Sequence, residues 1–165
     1  AARLRAGHDG GRSGAGMSTL VDAWQRALGA EQQAVFGYAL AGPHLDAATG
    51  SDLARLCQSA HETLQDLATA AITKAGEVPT APAADYPALY PVADARSAQR
   101  LAIRLEQDAA AAWRYLYAVA AEAPGAQPAG ARTSAQTALT SSAVRATRWR
   151  VLVDPARATV AFPGI

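Results

Sequence analysis

Apolar residues recur at intervals of three and four positions in four long segments of this chain, as one face of an α-helix requires. Representative members of the four stripes are Leu20, Trp24, Leu28 and Tyr38; Leu53, Cys57, Leu64 and Ala71; Leu101, Leu105, Ala112 and Leu116; and Ala135, Leu139, Ala146 and Trp149. No segment shows the strict alternation that is typical of a half-buried strand. The pattern therefore predicts an all-α protein of four helices.

Glycine and proline interrupt these segments and set the predicted helix ends. Proline lacks an amide donor and clashes with the preceding turn, so the pair Gly42-Pro43 should end the first helix. Ser51 offers an N-cap for the second helix, and Asp94 or Ser97 offers one for the third. The predicted helices run from 18 to about 41, from 51 to 76, from 94 to about 124 and from about 130 to 155, and the tail from 157 is predicted to be extended.

The connection between the second and third helices is much longer than the other two. It runs from Gly76 to Asp94 and is rich in proline, yet it carries apolar anchors such as Tyr86 and Leu89. Antiparallel neighbours in a bundle need only about two to eight connecting residues, whereas parallel helices need a connection that travels the height of the bundle. The short-long-short pattern predicts a ferritin-like four-helix bundle with a long crossover between helices two and three.

The length of 165 residues suits one domain, and its first residues are predicted to lie outside that domain. Residues 1–16 contain five glycines and one leucine, so they bury too little apolar area to offset the entropy of ordering. Met17 directly precedes the capping signal of the first helix. We therefore expect a flexible leader over 1–16 and a bundle domain over 17–165.

Charge and cysteine content narrow the classes of function. The formal net charge is only +1, which is unlike the strongly basic body of a typical nucleic-acid binder, and no run of about twenty apolar residues is available to span a membrane. The single cysteine, Cys57, lies on the apolar stripe of the second helix, where a buried structural thiol is expected. One unpaired cysteine favours a reducing cytoplasm. The 44 alanines, many on helix surfaces, favour close helix packing between chains and hence a homodimer.

Several segments together resemble a known family. They are AEQQAVFGY at 30–38, YPALYPV at 86–92, RLEQDAAAAWR at 104–114, AVRATRWR at 143–150 and the ending AFPGI. Over nearly all of 18–165 the chain resembles the ferritin-like DUF4439 proteins of high-GC bacteria. The resemblance implies the bundle fold and no established activity. The family often has a histidine after the glutamate of helix one, where this sequence has Gln32, and this departure lowers the expectation of a metal.

The glutamates of the chain do not follow the pattern of a two-metal carboxylate centre. Such a centre takes a glutamate from each of two helices and a Glu-x-x-His motif from each of the other two, and this sequence contains no Glu-x-x-His. The fourth helix has no acidic residue between Arg132 and Val153. The sequence therefore predicts neither a metal site nor a cofactor.

Four polar residues are nevertheless predicted to meet at mid-height of the bundle. Glu31 lies within the apolar face of helix one, and matched helix lengths place His61, Glu106 and Arg145 near the same level. An unpaired buried carboxylate costs several kcal/mol or takes up a proton, so a buried Glu31 needs a partner. We expect a salt-bridged plug, in which Glu31 pairs with Arg145 or His61, where ferritin relatives hold iron. The alternative is that Glu31 lies at the edge of the bundle and reaches water.

Three functions remain open from the sequence. The favoured interpretation is a metal-free scaffold or interaction module, with no catalytic residue and an unidentified protein partner. The second is a degenerate metal-binding protein or oxidase that uses Glu31, His61 and Glu106 together with bound water. The third is a protein that binds a small apolar ligand between the two helical hairpins.

Overall fold

Four long helices make up most of the protein in the computed structural model. The structure describes the backbone of residues 10–160 and the side chains of residues 19–125 and 127–160. The helices are α1 (Gly10–Ala41), α2 (Ser51–Lys74), α3 (Ala95–Glu122) and α4 (Ala126–Val153), with short 3-10 turns at Gly42–His44, Pro87–Leu89 and Pro155–Arg157. Residues 10–160 contain no β-strand. The prediction of an all-α four-helix bundle is confirmed.

Two helices begin earlier than the sequence pattern predicts. The backbone is helical from Gly10, so α1 includes residues 10–16, which the sequence pattern places in a flexible leader. Residues 1–9 of the predicted leader lie outside the described part of the chain. A helix that has nucleated adds one backbone hydrogen bond for each further residue, which favours its extension beyond a capping signal. The predicted loop up to Gly130 is wrong, because α4 begins at Ala126. Proline is tolerated in the first turn of a helix, where Pro128 lies.

The start of α3 satisfies its free amides with a reciprocal cap. Asp94 is the N-cap, and its Oδ1 accepts a hydrogen bond of 2.7 Å from the amide of Ser97. The Ser97 hydroxyl in turn accepts a hydrogen bond of 3.0 Å from the amide of Asp94. The two residues that the sequence offered as alternatives thus act together as a capping box.

Side-chain contacts show the direction in which each helix runs. In α1 and α2, Glu31 meets His61 and Tyr38 shares a cluster with Cys57, so the two helices are antiparallel. The pair α3 and α4 is also antiparallel, with contacts from Glu106 to Arg145 and from Ala120 to Arg132. Helix α1 also packs against α3.

Contacts from Glu31 to Trp113 and from Tyr38 to Glu106 show that α3 is antiparallel to α1. The crossover of residues 75–94 therefore joins two helices, α2 and α3, that run in the same direction. Its first part is fastened by two glutamines of α1: the Gln25 amide donates to the Val78 carbonyl and the Gln32 amide to the Thr80 carbonyl, both at 2.8 Å. Gln32 therefore holds the crossover against α1. One long crossover between two antiparallel hairpins is the connectivity of ferritin-like bundles.

The described side chains form two apolar clusters in the bundle interior. One cluster lies around Trp24, Trp113 and Ile72, toward the end where α2 finishes and α4 begins. The other lies around Trp149 and Leu105, toward the opposite end. Charged and polar side chains occupy the interior between them, and those side chains form the candidate site. None of the described helices has the length and apolar character needed to cross a bilayer.

Candidate functional site: a buried layer of charged residues

Glu31 and His61 form the first ion pair of the layer. Both side chains are fully buried, and His61 Nδ1 lies 2.5 Å from Glu31 Oε2. The other carboxylate oxygen of Glu31 accepts a hydrogen bond of 2.5 Å from the indole Nε1 of Trp113 in α3. Three helices therefore meet at Glu31, which is placed inside the bundle rather than at its edge.

Glu106 and Arg145 form the second ion pair. Arg145 Nε donates to both oxygens of Glu106, at 2.9 and 3.0 Å, and Arg145 Nη2 donates to the fully buried hydroxyl of Ser142 at 3.0 Å. His61 links the two pairs, because its Nε2 lies 3.1 Å from Glu106 Oε1. A continuous network thus runs from α1 through α2 and α3 to α4.

Aromatic side chains complete the network on one side. The Tyr38 hydroxyl donates to Glu106 Oε1 at 2.8 Å and accepts from Trp149 Nε1 at 2.8 Å. The Tyr38 ring also stacks on the His61 ring, with centroids 5.5 Å apart. Among the described residues, no buried side-chain nitrogen or oxygen lacks a hydrogen-bond partner. Such complete satisfaction is what makes a polar layer tolerable in an apolar core.

The electrostatics of the layer favour its charged form. Burial by itself lowers the pKa of His61, but hydrogen bonds and charge interactions with Glu106 and Glu31 outweigh burial and raise that pKa to about 9. Burial raises the pKa of Glu106, and the opposing effect of His61 and Arg145 leaves that pKa below its usual value. These directions favour an ionised Glu106 between a protonated His61 and the charged Arg145.

Two further buried groups next to the layer are held in their neutral forms. Burial, together with the charge of Glu106, raises the pKa of Cys57 to about 12 and that of Tyr38 well above its usual value. A thiol needs a lowered pKa and access to act as a nucleophile, and Cys57 is fully buried. The Cys57 thiol and the Tyr38 hydroxyl therefore remain protonated at neutral pH.

The residues present do not fit a two-metal carboxylate centre. Both ring nitrogens of His61 face carboxylate oxygens, and Arg145 engages both oxygens of Glu106, so cationic side chains occupy the places that metal ions would need. Helix α4 supplies Arg145 and Ser142 to the layer, neither of which replaces an acidic ligand. Within the part of the chain that the structure describes, no group of three or more His, Cys, Asp or Glu residues is placed to hold a metal ion.

The structure brings together all four residues that the sequence placed at mid-height. Of the two partners considered for Glu31, it is His61 that contacts the carboxylate, while Arg145 pairs with Glu106. The apolar stripes of the sequence include Tyr38 and Trp149 as packing residues, and the sequence pattern predicts neither the hydrogen bonds of Tyr38 and Trp113 to the layer nor that of Trp149 to Tyr38. Helical spacing carries a signal for them, because each follows a layer residue on its own helix by seven or four positions and so shares its face.

Comparison with known proteins agrees with this fold. A family model described as a domain of unknown function, DUF4439, matches residues 23–165. The crystal structure of a conserved hypothetical protein, rv2844, from Mycobacterium tuberculosis is 32% identical in sequence, with a TM-score of 0.75 over 88% of this chain and 98% of that chain. No curated protein matches the sequence. The family match covers most of the chain, which therefore belongs to the DUF4439 family, a domain of unknown function.

Proposed function

We propose that this protein is a metal-free four-helix scaffold or interaction module, in which the buried layer replaces the metal centre of a ferritin-like bundle. The single observation that supports the proposal is the use of all four charged groups of the layer in contacts with one another and with Trp113, Tyr38 and Ser142. The layer then has a structural role. It fixes which helix faces meet, because a shifted helix would leave a buried charge without its partner.

The competing function is a degenerate metal protein or oxidase that uses Glu31, His61 and Glu106 with bound water. We expect protein incubated with Fe²⁺, Mn²⁺ or Zn²⁺ and then desalted to retain much less than one metal ion per chain, measured by elemental analysis. His61→Gln is the matched variant, since it removes the one imidazole of the layer. A stoichiometric metal that is lost in this variant would favour the competing function and contradict the proposal.

The proposal includes self-association into a homodimer through the outer face of α4. Val144, Val151 and Leu152 lie on this helix and are 49%, 46% and 44% exposed. Exposed apolar side chains mark an interaction surface where they are contiguous, and Val144 and Val151, seven positions apart, share one face of the helix. Of the three arginines between 133 and 153, Arg145 and Arg150 are buried, so Arg148 is the charged side chain exposed beside this surface.

Light scattering should give twice the chain mass of 17.0 kDa for the native protein. Val144→Glu should shift the mass toward that of one chain, because a charge buried at an apolar interface is costly. Val78→Glu is the control, since Val78 is 83% exposed on the crossover and lies outside the proposed surface. A native mass of one chain at micromolar concentration would refute self-association and leave the metal-free proposal standing.

We infer a cytoplasmic location and no nucleic-acid partner. The inference of location rests on a single buried thiol, which fits a reducing compartment. The second inference rests on a formal net charge of +1, which provides little attraction to a phosphate backbone.

A further inference from the structure

A cavity of about 300 Å³ lies between the two hairpins, away from the charged layer. It is found where α2 ends and α4 begins, and α1 forms its third wall. Its apolar lining consists of Leu20, Val21, Trp24, Ala71, Ala75 and Ala131. The side chains that α1 contributes are each at most 9% exposed, so they are packed into the bundle and present only a small part of their surface to the cavity.

The shape of this cavity follows from small residues on the facing helices. Alanines of α2 and α4 line two sides, and Gly130 of α4 also contributes to the lining. A Cβ atom added at Gly130 would meet no atom within 4 Å, so space is left on that side. The volume lies at the lower end of the range for small-molecule sites, which are mostly apolar with a few polar groups.

Among the described side chains that line the cavity, one is charged, and it is the single lysine of the chain. Lys74 lies in the last turn of α2 and is exposed, so its ammonium group can remain hydrated at the rim while its alkyl stem lies along the apolar wall. The remaining polar side chain of the lining is Gln127. An apolar interior with one positive charge at its rim complements a molecule that has an apolar chain and an anionic head.

We propose that this cavity binds a small aliphatic carboxylate, with its alkyl chain against the wall of Leu20, Val21 and Trp24 and its carboxylate beside Lys74. The cavity volume is at the lower limit for ligand pockets, which suits a short alkyl chain of about eight carbons. This site is independent of the charged layer and of the α4 outer face. Its failure would therefore leave the metal-free scaffold untouched.

The test is titration of the full chain with octanoate, octan-1-ol and octylammonium below their micellar concentrations. Isothermal calorimetry gives the affinities, and tryptophan fluorescence reports on Trp24. Octanoate should bind once per chain with a dissociation constant below about 1 mM, and octylammonium should bind at least about tenfold more weakly. Lys74→Gln should weaken octanoate about fivefold and leave octan-1-ol unchanged, since a rim charge contributes modestly.

Filling the cavity gives an independent variant. Gly130→Leu introduces a side chain into open space, with a higher helix propensity than glycine, and should weaken octanoate and octan-1-ol by at least about tenfold. Gly29→Leu is the matched control, because Gly29 is also helical, also has open space at its Cβ position and does not line this cavity. Absence of saturable octanoate binding, or binding unaffected by both Gly130→Leu and Lys74→Gln, would overturn the proposal. Lys74→Gln is a surface change, so the test remains valid even if Gly130→Leu fails to fold.

Discussion

Replacing Glu106 with leucine is expected to lower the free energy of unfolding by about 4 kcal/mol, because it leaves buried charge without its partner. Glu106 is fully buried and accepts hydrogen bonds from Arg145 and Tyr38, and it lies 3.1 Å from His61 Nε2. Leucine has a similar size, so the loss arises from electrostatics more than from a cavity. Urea denaturation at pH 7 measures the effect.

A double variant separates the role of the ion pair from that of packing. Glu106→Leu with Arg145→Met removes both members of one pair and leaves Glu31 and His61 to balance each other. Apolar replacements of a buried pair are often neutral, so the double variant should recover about 2 kcal/mol relative to the sum of the single losses.

Glu62→Gln is the control for the Glu106 variants. Glu62 follows His61 on α2 but is exposed, and its replacement should change stability by less than about 0.5 kcal/mol. A loss below about 1 kcal/mol for Glu106→Leu would mean that water reaches Glu106 and that the layer is not closed.

The second large effect is a loss of stability on the alkaline side of neutrality. The pKa of His61 is raised from 6.5 to about 9 in the folded protein. A raised folded-state pKa contributes stability that is fully present below 6.5, declines as the pH rises through this window and is lost above about 9. The contribution is roughly 3 kcal/mol, given 1.36 kcal/mol for each unit of pKa difference.

Unfolding free energies measured in urea from pH 6 to 10 test this dependence. His61→Gln should be less stable at pH 6 and should lose most of the slope, since glutamine hydrogen bonds without titrating. His44→Gln, in the connection between α1 and α2, should retain the slope of the native chain. A native protein whose stability stays constant from pH 6.5 to 9 would contradict a protonated His61 in the folded state.

On the acid side of neutrality, stability is expected to fall as the pH decreases. The pKa of Glu106 lies below its usual value because interactions with His61 and Arg145 outweigh burial. The corresponding stability is present above the unfolded-state pKa and declines as the pH falls through the folded-state value. The layer should therefore be most stabilising at pH values above the titration of Glu106 and below that of His61.

Helix positions were predictable where local chemistry marks them. Pro43 follows the end of α1, and Asp94 with Ser97 caps α3. The predicted N-cap of α2 is wrong by one residue, because Ser51 is already helical and Gly50 is the N-cap, without a side-chain hydrogen bond. Local chemistry was misleading at the start of α4, because the turn residues of 124–130 include a proline that a first helical turn accepts.

The level of the charged layer was also predictable, but its pairing was not. Matched helix lengths place Glu31, His61, Glu106 and Arg145 at similar heights, which follows from a rise of about 1.5 Å per residue. The choice of His61 as the partner of Glu31 depends on how α1 and α2 are rotated about their own axes. That rotation is set by packing across the bundle and cannot be inferred from the sequence of a single helix.

The sequence by itself determined four helices, their approximate ends and the long crossover, because backbone hydrogen bonding and the spacing of apolar residues act within one segment. Tertiary structure alone decided that Tyr38 and Trp113 hydrogen bond to the layer, that Trp149 hydrogen bonds to Tyr38, and that a cavity with Lys74 at its rim lies between the hairpins. These features require side chains from three or four helices. Their positions depend on packing between segments far apart in the chain, for which a local pattern carries no information.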